Sequence, residues 1–399
     1  MYNHTLDKRM KLNFQLTIAN ASLSRFGLSA YNLVIIWVVL RITERPVLAG
    51  LADSMMTFPL MLSIMVGAAV DRMWIKKELA VTAALVRVML LLLIIYSLHS
   101  DHSIYVILAI YTSTFLIGFT SDVIDSVRAS WMKVFLREDQ YKSGSSQLSS
   151  ATMLAQGIGF VLSGIIISLG DFRSFLCLAL IFAVALFPLL GVKHSRYGGS
   201  GSIQEYLASG VRLIVGDGRI REIILMGLIG NFLIGMAAIM FISLIEIGFG
   251  LSAVYVSMIF GVLVFGIAVG SFFASKISGK LGMISFAIYS VIGISFFSVS
   301  LVHSILLTIP PVLIAGLAMG IESVTVSTSL MRIIPSDMMA RIQGAFNTFG
   351  IAATAVSSII GGLVYQVTGR MHSFMVVGLA MILLALLIPF LRNFSKMVF

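Results

Sequence analysis

Apolar segments of about 20 residues, the length a helix needs to cross a bilayer, recur along this chain from one end to the other. Stretches such as Leu79 to Leu98 and Phe374 to Phe390 are apolar without interruption, whereas the strands of a membrane barrel alternate in segments of about 10 residues. The spans are therefore helices. Hydropathy and helix breakers place them near 14–40, 47–70, 79–98, 104–131, 146–169, 172–191, 222–246, 252–275, 281–303, 306–330, 342–367 and 373–392. Twelve spans consume about 240 mostly apolar residues, which a chain of 399 residues that is 59% hydrophobic supplies with little to spare. Charged residues make up 11% of the chain, against about 25% in a soluble domain, so a water-soluble fold is excluded. The expected class is all-α integral membrane, with twelve transmembrane helices in two six-helix pseudo-symmetric halves.

The longest interruption, Val192 to Arg221, carries Tyr197-Gly-Gly-Ser-Gly-Ser202 and then a short amphipathic stretch from Ile203 to Ile214. It divides the chain into an N-terminal six-helix half (1–191), a cytoplasmic linker with a short amphipathic helix (192–221) and a C-terminal six-helix half (222–399). One constant offset aligns Gly118 with Gly316, Asp139 with Asp337 and Gly164 with Gly362. The halves thus read as a duplicated unit in parallel orientation, an arrangement found in secondary transporters, whose substrate path runs between the halves near the midplane.

Lys and Arg crowd the loops on the side of both termini, while the other side carries Arg41, Arg45, Arg173 and Arg370. By the positive-inside rule both termini are expected in the cytoplasm, and the chain in the cytoplasmic membrane as a multi-pass protein. The same scatter explains the net charge of +10, since nucleic-acid binders cluster their basic residues beside groove-reading elements. Met1 to Leu12 is polar and the apolar segment after it is too long for a signal peptide, so it is expected to remain as the first span. One cysteine, Cys177, excludes an intramolecular disulfide and a cysteine-rich metal site.

Between the second and third spans stands Gly67-Ala-Ala-Val-Asp71-Arg72-Met-Trp74-Ile-Lys76-Lys77. It resembles the cytoplasmic signature loop of the major facilitator superfamily, with Trp74 where that loop has a second glycine. The resemblance implies the major facilitator fold and a gating role for Gly67, Asp71, Arg72 and Lys76, in which Asp71 latches the outward-facing state. Arg128 and the start of the eleventh span near Arg341 are its candidate partners. A carboxylate at a helix N-terminus gains about 0.3–1 kcal/mol, enough to bias such a state. The plainer reading of Arg72, Lys76 and Lys77 is positive-inside topology. With Leu23-Ser-Arg-Phe-Gly27 and Leu40-Arg-Ile-Thr43, the chain is similar to the exporter branch of that superfamily, which includes multidrug and siderophore effluxers and lysophospholipid transporters. Gly157-Ile-Gly159-Phe-Val-Leu-Ser-Gly164 partly matches the glycine-rich antiporter motif of that branch, beside the alternative of close helix packing.

Ionisable residues inside spans are costly and mark function or mutual pairing. Here they are Arg25, Asp53, Arg87, Asp122, Asp125, Arg128, Glu246 and Glu322. At about 1.5 Å rise per residue, Arg25, Arg87, Asp122 and Glu322 share one depth. Asp122, Asp125 and Arg128 form a stripe on one helix face. A carboxylate that alternates between a desolvated setting and an arginine neighbour becomes a proton carrier, so Arg25, Arg87, Asp122, Asp125 and Glu322 are the candidates for proton coupling or substrate binding. A static salt-bridge network is the rival reading. Glu322 has no basic residue in its own span, and is expected either protonated or facing a cationic substrate. Asp53 and Glu246 lie near the outer interface, where solvation suffices. Asn20, Tyr31, Asn32, Phe119, Gln156, Asn231 and Asn347 are candidates to line a cavity.

No Gly-x-x-x-x-Gly-Lys-Ser/Thr loop is present, so ATP does not drive the cycle. No nucleophile with a placed base and no histidine cluster at metal-ligand spacing is visible, so neither an enzyme nor a cofactor or metal site is expected. The reading is a monomeric secondary transporter that exports an amphipathic small molecule by proton antiport, with protons and membrane lipids as its other partners. The alternative is a lipid or lysophospholipid facilitator or flippase without proton coupling.

Overall fold

The computed structural model of the chain describes residues 2–100, 102–137, 140–193, 216–274, 276–333, 339–391 and 393–396, without side chains at some helical positions that include 71 and 346–347. The amphipathic stretch expected at 203–214 lies outside these residues. Twelve α-helices account for nearly all of the described chain, with no strand among them. They are α1 (Tyr2–Thr43), α2 (Pro46–Thr57), α3 (Ser63–Arg72), α4 (Lys76–Ser97), α5 (Ser103–Phe135), α6 (Tyr141–Ser168), α7 (Asp171–Gly191), α8 (Gly218–Ser243), α9 (Val254–Ala274), α10 (Leu281–Ser300), α11 (Ile305–Ile333) and α12 (Met339–Leu387). Among the described residues, eleven helical stretches are long and apolar enough to cross a membrane. Two of them, Ala352–Arg370 and His372–Phe390, come from α12 and the short turn that follows it, with the kink at Gly369 between them.

The second expected span departs from a single helix. Pro59 lacks the N–H that an α-helix needs, and the chain passes from α2 through a 3-10 turn, Phe58–Leu62, into α3. Two tight turns, one in each unit, use a glycine in the left-handed region, Gly170 at φ 88° and Gly369 at φ 72°. A side chain there would collide with its own backbone.

By internal contacts the chain forms two compact units: Met1–Val38 with Met55–Ile203, and Val39–Ser54 with Gln204–Phe399. In unit 1, α4 packs against α5 and α7, and α3 against α5. The buried positions of α4 (Ala80, Ala83, Ala84, Arg87, Leu90, Leu91, Ile94) recur every three or four residues, the period that puts one face on the neighbours. The core there gathers Phe14, Val70, Val127, Trp131, Phe135 and Leu189.

In unit 2, α9 packs on α11, α12 on α8 and α10, and α10 on α11. Lipid is as apolar as leucine, so close van der Waals contact between small residues supplies much of the attraction between helices. Gly266 and Gly270 on α9 face Gly316 and Gly320 on α11, and a Cβ at Gly316 would stand 2.6 Å from the Leu263 carbonyl oxygen. Gly50 and Ser54 of α2 lie in the same way against Ser358 and Ala355 of α12. Phe241, Phe296 and Phe374 fill the middle, with ring centroids 6.1 and 4.7 Å from Phe241.

Candidate functional site

Helix α5 carries a charged stripe in unit 1, Asp122, Asp125 and Arg128. Its stripe continues into α1: Arg128 bonds Asp125 Oδ1 through Nη1 and donates from Nε to Asn20 Oδ1 at 2.9 Å. Asn20 in turn donates to the Ala185 carbonyl at 2.6 Å. Arg25 reaches Asp125 Oδ2 at 3.4 Å, with side-chain exposures of 45% and 36% for the two partners. Asn20 and Arg128 are buried, and this polar chain ties α1, α5 and α7 together.

Two members of the expected charge cluster leave it. Asp122 is 3% exposed and turns to α3, where the Ser63 hydroxyl donates to its Oδ1 at 2.5 Å, while Oδ2 has no partner among the described residues. Arg87 is 2% exposed and meets no carboxylate among the described residues. Its Nη2 donates to Ser121 Oγ at 3.0 Å, its guanidinium lies 4.9 Å from the Phe182 ring centroid, and its Nε is unpartnered. The mutual pairing expected of ionisable residues inside spans therefore holds for Arg25, Asp125 and Arg128 but not, among the described residues, for Asp122 and Arg87. Adjacent helix positions diverge by about 100°, which sends Ser121 toward α4 and Asp122 toward α3.

Glu322 on α11 has a partner that no charge count reveals, the Tyr289 hydroxyl of α10, which donates to Oε1 at 2.5 Å and also lies 3.4 Å from the Met226 carbonyl. Gly230 makes room for that phenol, since a Cβ there would lie 2.9 Å from its Cε1 and oxygen. Asp53 is likewise bonded, by Ser358, and Glu246 sits in a π-helical turn, Leu244–Gly248, after α8.

Around the signature loop, Arg72 and Trp74 are exposed. Lys76 is buried and donates to Ser130 Oγ at 2.7 Å, and Lys77 donates to the Leu190 carbonyl at 2.8 Å. The nearest atom a Cβ at Gly67 would meet is Ser126 Oγ, at 3.7 Å. The Asp71 side chain lies outside the described residues, and Arg128, one of its candidate partners, is engaged by Asp125 and Asn20. At Gly159 the packing alternative has direct support, since a Cβ would stand 2.0 Å from Ser29 Oγ and 2.5 Å from the Phe26 carbonyl oxygen.

Of the cavity candidates, Tyr31 is fully buried and shares a 2.7 Å hydrogen bond with Thr114. Asn32 Nδ2 lies 3.9 Å from Met56 Sδ. Phe119, Gln156 and Asn231 are exposed. The side chain of Asn347 lies outside the described residues.

The fold has many solved counterparts. A POT family transporter in complex with 5-aminolevulinic acid superposes with a TM-score of 0.72 at 15% identity, over 96% of this chain and 96% of that one. A bacterial homologue of the human lysosomal transporter Spinster, inward-facing and unoccupied, gives 0.72 at 10% identity over 98% of both chains. A D-xylose-proton symporter gives 0.70 at 11% identity, over 94% of this chain and 96% of that one. At such identities the likeness is one of fold. No curated protein matches the chain in sequence. The description "Major Facilitator Superfamily" matches residues 17–356. With most of its length so matched and its fold shared with transporters, the chain belongs to the Major Facilitator Superfamily and is a membrane transporter, not an enzyme.

Proposed function

We propose that the protein exports an amphipathic small molecule from the cytoplasm by proton antiport, through alternating access of its two halves. The observation that carries this reading is Asp122, a carboxylate enclosed in a membrane span and bonded by a neutral hydroxyl rather than an arginine. Ser63 can donate to the charged carboxylate and accept from the protonated one, so both protonation states keep a hydrogen bond. Glu322, held by Tyr289, has the same property in the other unit. A carboxylate fixed in a salt bridge, as Asp125 is, lacks that freedom. The excess of Lys and Arg on the side of both termini supports a cytoplasmic location for them, and Asp71 with Arg72 would gate the cytoplasmic side.

A facilitator or flippase for lipids is the second reading. It draws on the broken second span, where Met61, Leu62 and Met65 are exposed and offer a pliable apolar surface. Proteoliposomes of the purified chain under an imposed proton gradient separate the two, with lipophilic cations, siderophore-like anions and lysolipids added in turn. Proton movement triggered by one class supports antiport. Movement of the amphiphile with no proton signal would replace it with the facilitator.

A further inference from the structure

Around Asp125 the cations outnumber the anions among the described residues. Three guanidiniums, Arg25 from α1, Arg87 from α4 and Arg128 from α5, lie within electrostatic reach of one another and of that one carboxylate. Asp125 is fully committed, with Oδ1 on Arg128 and Oδ2 on Arg25. Asp122 lies within reach of Asp125 but does not redress the balance: it is turned to Ser63, makes no ion pair with any of the three among the described residues, and leaves three guanidiniums against two carboxylates. Among the described residues, Arg87 is left with a serine hydroxyl, an aromatic face and an unpartnered Nε.

A buried guanidinium without a counter-ion is costly inside a membrane span. It keeps the planar fork of donors that fits a carboxylate or a phosphate. Arg25 is the way in. It is the exposed member, and its 3.4 Å contact with Asp125 is the loosest of the set, so exchanging Asp125 for an arriving anion loses little.

We propose that the α1–α4–α5 cluster of unit 1 binds the anionic headgroup, carboxylate or phosphate, of the transported amphiphile, with Arg25 as its first contact and Arg87 as the cation behind it. This rests on the reading of the protein as an exporter of amphiphiles, but not on proton coupling, since neither Asp122 nor Glu322 forms an ion pair with these arginines among the described residues.

The test is equilibrium binding to the full chain in phosphatidylcholine nanodiscs, with no gradient, of octyl phosphate, octanoate, inorganic phosphate and octyltrimethylammonium. Octyl phosphate or octanoate is expected to bind in preference to octyltrimethylammonium. Arg25→Gln should weaken that binding about tenfold, as loss of one charge-assisted hydrogen bond does, and Arg25→Lys should restore part of it. Inorganic phosphate binding as tightly as octyl phosphate would support the anion site with a free anion as its ligand, and weaker binding would support a lipid-like headgroup. Tighter binding of octyltrimethylammonium, no anion binding, or anion binding unchanged in both Arg25→Gln and Arg87→Gln would overturn the proposal. Proton antiport failing in vesicles while the anions still bind would strike the coupling and leave this site standing.

Discussion

In α5 of unit 1, Gly118 lets the helix meet the Met56 carbonyl, where a Cβ would stand at 2.3 Å; in α11 of unit 2, its repeat partner Gly316 does the same at the Leu263 carbonyl, at 2.6 Å. Beyond that glycine the helices diverge. Applying the same offset, Asp122 corresponds to Gly320, Asp125 to Ser323 and Arg128 to Val326. Gly320 is pressed against the Ile267 carbonyl, so the turn that places charge in one unit closes a helix contact in the other. A position in backbone contact has no room for a carboxylate, and the lone acid of α11, Glu322, sits where α5 has Ile124. The duplication kept the packing and divided the chemistry.

The matched glycines give the largest expected effect on stability. Gly118→Ala and Gly316→Ala each force backbone apart and should cost about 2–3 kcal/mol, read as comparable falls in thermal midpoint; free tolerance of one of them would break the equivalence of the units. Arg128→Leu strips partners from Asn20 and Asp125. It should cost about 2 kcal/mol, below the value for a fully enclosed pair because Asp125 is partly exposed, while the matching Val326→Leu should stay within about 0.5 kcal/mol.

Smaller effects follow in unit 2. Tyr289→Phe removes a neutral donor from Glu322 and should lower stability by about 1 kcal/mol, measurable by denaturation in detergent. Asp217 caps α8 through the Arg219 N–H at 2.8 Å, whereas α4 in unit 1 starts at Ile75 without a side-chain cap. Asp217→Ala should cost just under about 1 kcal/mol. The Arg219 guanidinium and N–H hold the Asp217 carboxyl below the usual range. Its contribution is therefore complete at neutral pH and fades as pH falls through that lowered value, so wild type and Asp217→Ala should converge in acid.

The helical class could be read from apolar run length alone, and the duplication from a few glycines and acids. Phe58-Pro59 carried the signal for the broken second span, yet hydropathy alone hides it, because the residues on either side stay apolar. The ionisable residues stood out by their rarity in spans. Their partners did not: Ser63, Ser121 and Tyr289 are ordinary residues in an apolar helix, and only the rotation of each helix decides which of them meets a charge. That is why Asp122 and Arg87, expected at one depth, turn to different helices, and why Glu322 looked solitary.

The central claim is that Asp122 exchanges the coupled proton, and its most direct test compares two transport modes in proteoliposomes, gradient-driven accumulation and gradient-free exchange of the amphiphile selected by the vesicle assay. The account predicts that Asp122→Asn keeps exchange within about twofold, less than about 0.4 kcal/mol, and loses accumulation. Accumulation equal to wild type in that variant would contradict it.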